Sequence, residues 1–196
     1  MRIFPRPRLP EPTRRPLRIL GIDPGSRITG YGVIEIRGVE HRHLASGRII
    51  TGTVERHFRL LHIYRELTAL IEKFTPSEAA VESVFMHRNA VSALLLGQAR
   101  GAALVALAGA GLSLAEYSPA QVKSAVVGYG RAEKAQVQHM VSALLRLTRS
   151  PAADAADALA VALCHSRLRS SPLLLLQRAA KSAERSGGVL PGGVSG

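Results

Sequence analysis

The sequence predicts an α/β protein: a five-stranded mixed sheet with helices on both faces. Three observations carry that prediction. The chain has 196 residues and is 46% hydrophobic, enough to bury one real core. Three strand-like segments joined by short connections open its folded part, as in an antiparallel meander. Helix-spaced and strand-like segments then alternate, giving the order βββ-α-β-α-β-α-α, which implies a mixed sheet covered by helices.

The elements follow in turn. Residues 1–16 carry Pro at 5, 7, 10, 12 and 16 and read as a disordered basic arm. A first strand runs from Leu17 into Asp23, and the turn Pro24-Gly25-Ser26 follows. Second and third strands are expected around Thr29–Ile36 and His41–Ile50. From Val54 to Phe74 the apolar residues Phe58, Leu61, Leu67, Leu70 and Ile71 fall at helical spacing. A short strand of sequence AAVE ends at Glu82. The next segment is apolar nearly all round, with Asn89 as its cap and Gly109 and Gly111 flanking its end. Such a helix is expected to be buried on more than one side. A strand LSLAEY, a helix start SPAQ, the turn Gly128-Tyr129-Gly130 and a helix from Glu133 to Leu147 come next. The last helix is expected to begin with Ser150 as N-cap and Pro151 at its first position. Residues 170–196 turn to Ser, Gly and Arg and read as a largely disordered tail, leaving 17–169 as the folded domain.

Composition excludes some classes. The one cysteine, Cys164, allows no disulfide within the chain, so a reducing cytoplasm fits. No uninterrupted apolar run reaches bilayer length, and Gln98 and Arg100 interrupt the most apolar helix. The N-terminus lacks the apolar stretch of a secretory signal. The net charge of +12 suggests a polyanionic partner, although two thirds of it lies in the terminal segments, and basic tails bind any polyanion.

A narrower signal lies in the acids. Of fourteen acidic residues only three are aspartate: Asp23, Asp154 and Asp157. Asp23 closes an apolar strand before a tight turn. Glu82 closes another apolar strand, where a carboxylate is costly unless paired or bound to a cation. Asp154 and Asp157 share one helix face, among alanines small enough to let the helix lie close to the sheet. Two like charges on such a face repel unless a cation sits between them. Each acid taken singly has an ordinary structural reading. Two strand ends and one helix face converging on one rim of a sheet do not. Hard oxygen ligands select Mg²⁺ or Mn²⁺ over zinc. Four of them suit a two-metal site with ions roughly 4 Å apart, the arrangement used for phosphodiester hydrolysis.

Four segments, GIDPGSRITGYGVIE, AVESVFMHRNAVSALLLGQARG, YSPAQVKSAVVGYGRAEKAQVQHM and ADAADALAVAL, resemble the RuvC family of Holliday-junction resolvases in order and spacing. The resemblance covers about residues 17–166. It implies a ribonuclease H-like fold, a homodimer, Mg²⁺ dependence, and paired symmetric nicking of four-way DNA junctions in recombination and repair. A branch-migration helicase complex is the partner implied by the family. By position, Asp23, Glu82 and Asp154 correspond to its metal-binding catalytic acids, and Asp157 to a fourth member that is His in some relatives. Lys123 and Lys134 fall where the family has functional lysines. Phe85 matches an aromatic that enters the unstacked junction centre, and Arg88 in the same loop is a further expected DNA contact. His139 is expected to be packed or capping. The Gly97-x-x-x-Gly101 helix is a candidate for the dimer contact.

Three other readings compete. A ribonuclease H-like nuclease on RNA or hybrids shares the carboxylates. An actin-like ATPase shares Asp23-x-Gly25 but needs a second phosphate loop that Gly128–Gly130 is too short to supply. A structural DNA-binding protein would not retain the full set of acids.

Overall fold

The computed structural model describes residues 16–83 and 90–171. Residues 1–15 and 172–196, which hold nearly all of the expected arm and tail, and the expected contributors Phe85, Arg88 and Asn89 lie outside these residues.

Ten elements make up the domain: β1 (Leu17–Asp23), β2 (Ile28–Arg37), β3 (Glu40–Ile50), α1 (Arg56–Phe74), β4 (Glu78–Glu82), α2 (Ala90–Gly109), β5 (Ser113–Tyr117), α3 (Pro119–Val127), α4 (Lys134–Leu144) and α5 (Ala153–Leu168). The sheet order is β3-β2-β1-β4-β5. The first three strands pair antiparallel, while β1, β4 and β5 run parallel. The parallel strands β1 and β4 therefore deliver Asp23 and Glu82 to the same end of the sheet. Three helices follow β5 rather than two, because the segment begun at Ser118 is a helix in its own right. A reciprocal cap between Ser118 and Gln121 starts it, and Gly128 at φ 104° ends it.

Helices α1 and α2 cover one face. Ile63, Leu67 and Ile71 of α1 meet Ala99, Ala103, Ala106 and Leu107 of α2 over Leu20, Ile22 and Val33. Phe58 and Leu61, expected on the buried stripe, are exposed instead; they belong to the first turns of α1, and burial begins at Ile63. Helices α3, α4 and α5 cover the other face around Ile19, Ile34, Ala80 and Leu159. There α5 is the central element, buried continuously from Ala158 to His165. Cys164 is fully buried, and burial pushes its thiol up to about 12.

Glycines let α5 sit this deep. A Cβ at Gly21 would stand 2.2 Å from the Ala158 carbonyl oxygen, and one at Gly30 would stand 2.0 Å from that of Asp154. The alanines of α5 supply the complementary smooth surface, as their size implied. The helix starts later than expected. Ala152, extended at φ −58° and ψ 153°, is its N-cap, with no side-chain cap. Pro151 precedes the cap rather than occupying the first turn, and Asp154 still falls within that turn.

The expectation for α2 is corrected more sharply. Its buried residues line one side only, while Val91, Leu94 and Val105 are 63%, 58% and 60% exposed. By length and composition alone α2 is also long and apolar enough to cross a membrane, even with Gln98 and Arg100 within it. Arg100 pairs with Glu116 of β5.

Candidate active site

The four acids arrive from three elements. Asp23 and Glu82 close the neighbouring parallel strands β1 and β4. Asp154 and Asp157 lie on the first turns of α5, which crosses β1 and β2 at the glycines. The turn after Asp23 is locked by Thr29, which is fully buried. Its hydroxyl donates to the Gly25 carbonyl at 3.1 Å and accepts from the Gly25 N–H at 3.3 Å. The strand end carrying Asp23 is therefore fixed before any ligand binds.

The electrostatics show how tightly these groups are gathered. Burial, then the charges of Glu82, Asp157 and Asp154, push the Asp23 carboxyl from its usual 3.8 to about 7, with Lys134 opposing. Glu82 is raised as well, by burial and then by Asp157, against Lys134 and Lys123. All four side chains are only partly exposed. Among the described residues no three His, Cys, Asp or Glu side chains stand close enough together to hold a metal ion as they are placed. The site is an anionic cleft whose members repel one another.

Buried acids elsewhere in the domain behave differently. Glu35 is held by Arg18 at 3.0 Å and Arg37 at 2.7 Å. Glu78 is held by Arg169 at 2.7 Å and accepts a 2.7 Å contact from His165, itself bonded to the Tyr117 hydroxyl. Structural carboxylates in this protein are thus neutralised by arginine. Asp23, Glu82 and Asp154 have no ion pair within 4 Å among the described residues. A half-buried carboxylate cluster in which three of four members lack an ion pair is a donor set suited to a hard divalent cation.

The lysines close one side. Lys134, at the first position of α4, bonds Asp157 at 2.6 Å. That hydrogen bond, with the charges of Asp157, Asp23 and Asp154, raises the lysine further. At the start of α4 the Gln136 side chain accepts from the Glu133 N–H at 2.8 Å, which fixes the turn that carries Lys134 at the mouth of the cleft. Lys123 of α3 joins Lys134, Glu82 and Asp157 around a cavity of about 210 Å³, floored by Val122 and Val137. His139 is exposed on α4, neither packed nor capping, and is not among the residues lining this cavity. Sequence reasoning missed how much of the wall is α3: the Ser118-Pro119-Ala120-Gln121 capping signal was visible, but which face of α3 meets α5 was not.

Comparison with known proteins identifies the family. A family model described as crossover junction endodeoxyribonuclease RuvC matches residues 19–165. A protein of that description from Shewanella amazonensis is 57% identical over 161 residues, covering 82% of this chain and 93% of the relative. One from Shewanella frigidimarina is 60% identical over 147 residues, covering 75% and 85%. Among solved structures, Thermus thermophilus RuvC in complex with a Holliday junction substrate superposes with a TM-score of 0.73 at 36% identity, covering 76% of this chain and 93% of that one. The yeast mitochondrial Holliday junction resolvase shares the fold at a TM-score of 0.59 and 13% identity. The fold is ribonuclease H-like, and the family implies dependence on a divalent metal. With matched segments that include both strand ends and the α5 acids, the chain belongs to the RuvC family of crossover junction endodeoxyribonucleases.

Proposed function

We propose that the chain nicks four-way junction DNA, with Asp23, Glu82, Asp154 and Asp157 holding two Mg²⁺ ions, or Mn²⁺ in their place. One observation carries the assignment: Asp23 is buried against three other carboxylates in a domain whose remaining buried acids are paired with arginine. The donor set is all oxygen, as Mg²⁺ prefers. When bound, such ions acidify an attacking water and stabilise charge on the phosphoryl oxygens.

The protein's own contribution is placement. The Thr29-locked turn holds Asp23, the strand pairing holds Glu82 beside it, and the glycine-seated α5 fixes the spacing of Asp154 and Asp157 against both. Lys134 anchors Asp157 at 2.6 Å and keeps a cation at the cleft mouth, where Lys123 adds a second. These two side chains are suited to meet the scissile phosphate and offset the acids' repulsion of the DNA backbone. Phe85, at the junction centre, and Arg88, as a further DNA contact, would act from outside the described residues.

A homodimer suits a substrate with pseudo-twofold symmetry, because it presents two equivalent sites. The apolar face that α2 leaves open favours this helix as the contact. Gly97 and Gly101 have nothing within 4 Å of an added Cβ, so a partner helix could approach closely. The family also suggests cooperation with a branch-migration helicase, in the cytoplasm where recombination intermediates form.

The test is a synthetic mobile four-way junction with Mg²⁺, duplex and RNA–DNA hybrid controls beside it, and the nicks mapped. Asp154→Asn should retain junction binding and lose cleavage by at least about 100-fold, as removal of an essential electrostatic group does. Wild-type turnover in excess EDTA would refute the metal assignment. Faster cutting of the hybrid than of the junction would favour the ribonuclease reading.

A further inference from the structure

The end of the domain opposite the four acids carries a basic cleft. Leu17 pairs with Ile36 whereas Asp23 pairs with Gly30, so the β2–β3 turn lies at the far end of the sheet from the site. There that turn, the loop after α4 and the last turns of α5 surround a cavity of about 970 Å³. Arg37, Arg42, Arg146 and Arg167 line it together with His41 and His43, and Glu40 is the one acid among them. Val39, Leu144, Leu145 and Leu147 supply its apolar lining, and the four guanidinium groups against one carboxylate give the concavity a positive potential.

Two of the arginines are engaged. Arg37 donates to Glu35 at 2.7 Å, and Arg167 donates to the Ala125 carbonyl. Arg42 and Arg146 have no ion pair or side-chain hydrogen bond among the described residues. The backbone at Arg146 adds an independent sign. α4 ends with the Arg146 N–H donating to Ala143 and the Leu147 N–H to Ser142, the 5→2 and 6→1 bonds of a Schellman motif. Arg146 occupies the left-handed position of that motif at φ 50°, where glycine fits without strain. A long cation is kept where the backbone favours glycine, and it lines the cleft.

We propose that this cleft grips the sugar–phosphate backbone of a DNA arm, well away from the cut. The inference rests on the junction-cleaving reading above. Guanidinium forks match phosphate oxygens, and backbone contacts orient a duplex without reading its sequence. From Asp154 to Arg167, α5 advances about 20 Å at roughly 1.5 Å per residue. With a rise of about 3.4 Å per nucleotide along a strand, the gripped phosphates lie at least about six nucleotides from the scissile bond. An acidic protein segment is the competing occupant. DNA is favoured because the substrate itself carries polyanionic arms across that distance.

The experiment compares the full chain with an Arg42→Gln/Arg146→Asn variant, asparagine being tolerant of the left-handed backbone. Each is titrated against a long-armed junction and against the same junction carrying neutral methylphosphonates about six to nine nucleotides from the cut, at several salt concentrations. The variant's slope of log K against log salt should be shallower by about 1.8, because it neutralises two fewer phosphates at about 0.9 each. Its affinity at low salt should fall about tenfold. The wild type should bind the neutralised junction as weakly as the variant does, and the variant should not distinguish the two junctions. Unchanged affinity and slope, or effects of variant and neutral junction that simply add, would overturn the proposal. Unchanged junction binding with abolished binding of a polyglutamate probe would reassign the cleft to an acidic protein. If the variant fails to fold, the wild type's response to the neutralised junction decides alone. Nicking of the unmodified junction by wild type in Mg²⁺ is scored separately, and its absence would sink the parent reading whatever the cleft does.

Discussion

Gly30→Ala tests whether the seat of α5 sets the geometry of the acids. The added Cβ would stand 2.0 Å from the Asp154 carbonyl oxygen and 2.6 Å from its carbonyl carbon. Both are backbone atoms, so no rotamer change relieves the clash. Restoring ordinary packing requires the first turn of α5 to retreat by more than about 1 Å, the scale at which interior packing resists change. Overpacking of this kind costs about 1–3 kcal/mol, offset in part by the roughly 0.5–1 kcal/mol that alanine recovers over glycine in a strand. The larger effect should be catalytic. Asp154 and Asp157 move with the turn while Asp23 and Glu82 stay with the sheet, and a misplacement near 1 Å can cost about 100-fold. Urea unfolding gives the stability, and single-turnover nicking at saturating protein and Mg²⁺ gives the rate. Gly32→Ala is the comparison, since its Cβ meets Leu159 farther along α5, at 2.7 Å from the side chain and 2.9 Å from the backbone nitrogen. It should lose stability with a smaller loss of rate. Wild-type nicking by folded Gly30→Ala protein would refute the reasoning.

Further expectations concern charge and the segments beyond the described residues. Folding raises the Asp23 carboxyl from 3.8 to about 7, so the metal-free protein is favoured with that group protonated. The Asp23 contribution to stability in EDTA should therefore be fullest below about pH 4 and be lost as pH rises through about 7. Asp23→Asn should flatten the pH dependence across that window, with Glu82 leaving a smaller decline of its own, and parallel unfolding profiles for the two proteins would contradict it. Phe85→Ala should slow junction nicking more than it weakens linear-duplex binding; equal losses would mark Phe85 as a core residue. Deleting residues 1–16 should reduce the salt dependence of DNA binding, by about 0.9 in slope for each phosphate the arm neutralises, and an unchanged slope would show the arm to be idle.

Much of the fold was legible because its signals are local. The strands ending at Asp23 and Glu82 are short apolar runs bounded by turns, and the capping pattern at Ser118 needs only neighbouring residues. The failures have a common cause. Phe58 and Leu61 have helical spacing, but which turns of α1 meet the sheet depends on where α2 lands. The all-round apolarity of α2 implied burial on several sides, yet a single chain supplies only one side of cover. At α5, Ser150 and Pro151 formed a plausible start, but the helix begins where Asp154 can lie against Gly30. That is a long-range packing condition. The basic cleft escaped notice for the same reason: Arg42 and Arg146 are far apart in sequence and meet only through the β2–β3 turn and the end of α4.

The acids themselves were legible as a set, but not as unequal members. Asp157 alone of the four has a protein cation at bonding distance, Lys134 at 2.6 Å. Its charge is partly answered before a metal arrives, while Asp23 and Glu82 are left with raised pKa values. On the proposed metal assignment a divalent cation would gain most from Asp23, which lies against the other three and is relieved only by a more distant lysine. Asp157 would instead couple the proposed metal site to Lys134, and through it to the lysine-lined side of the cleft.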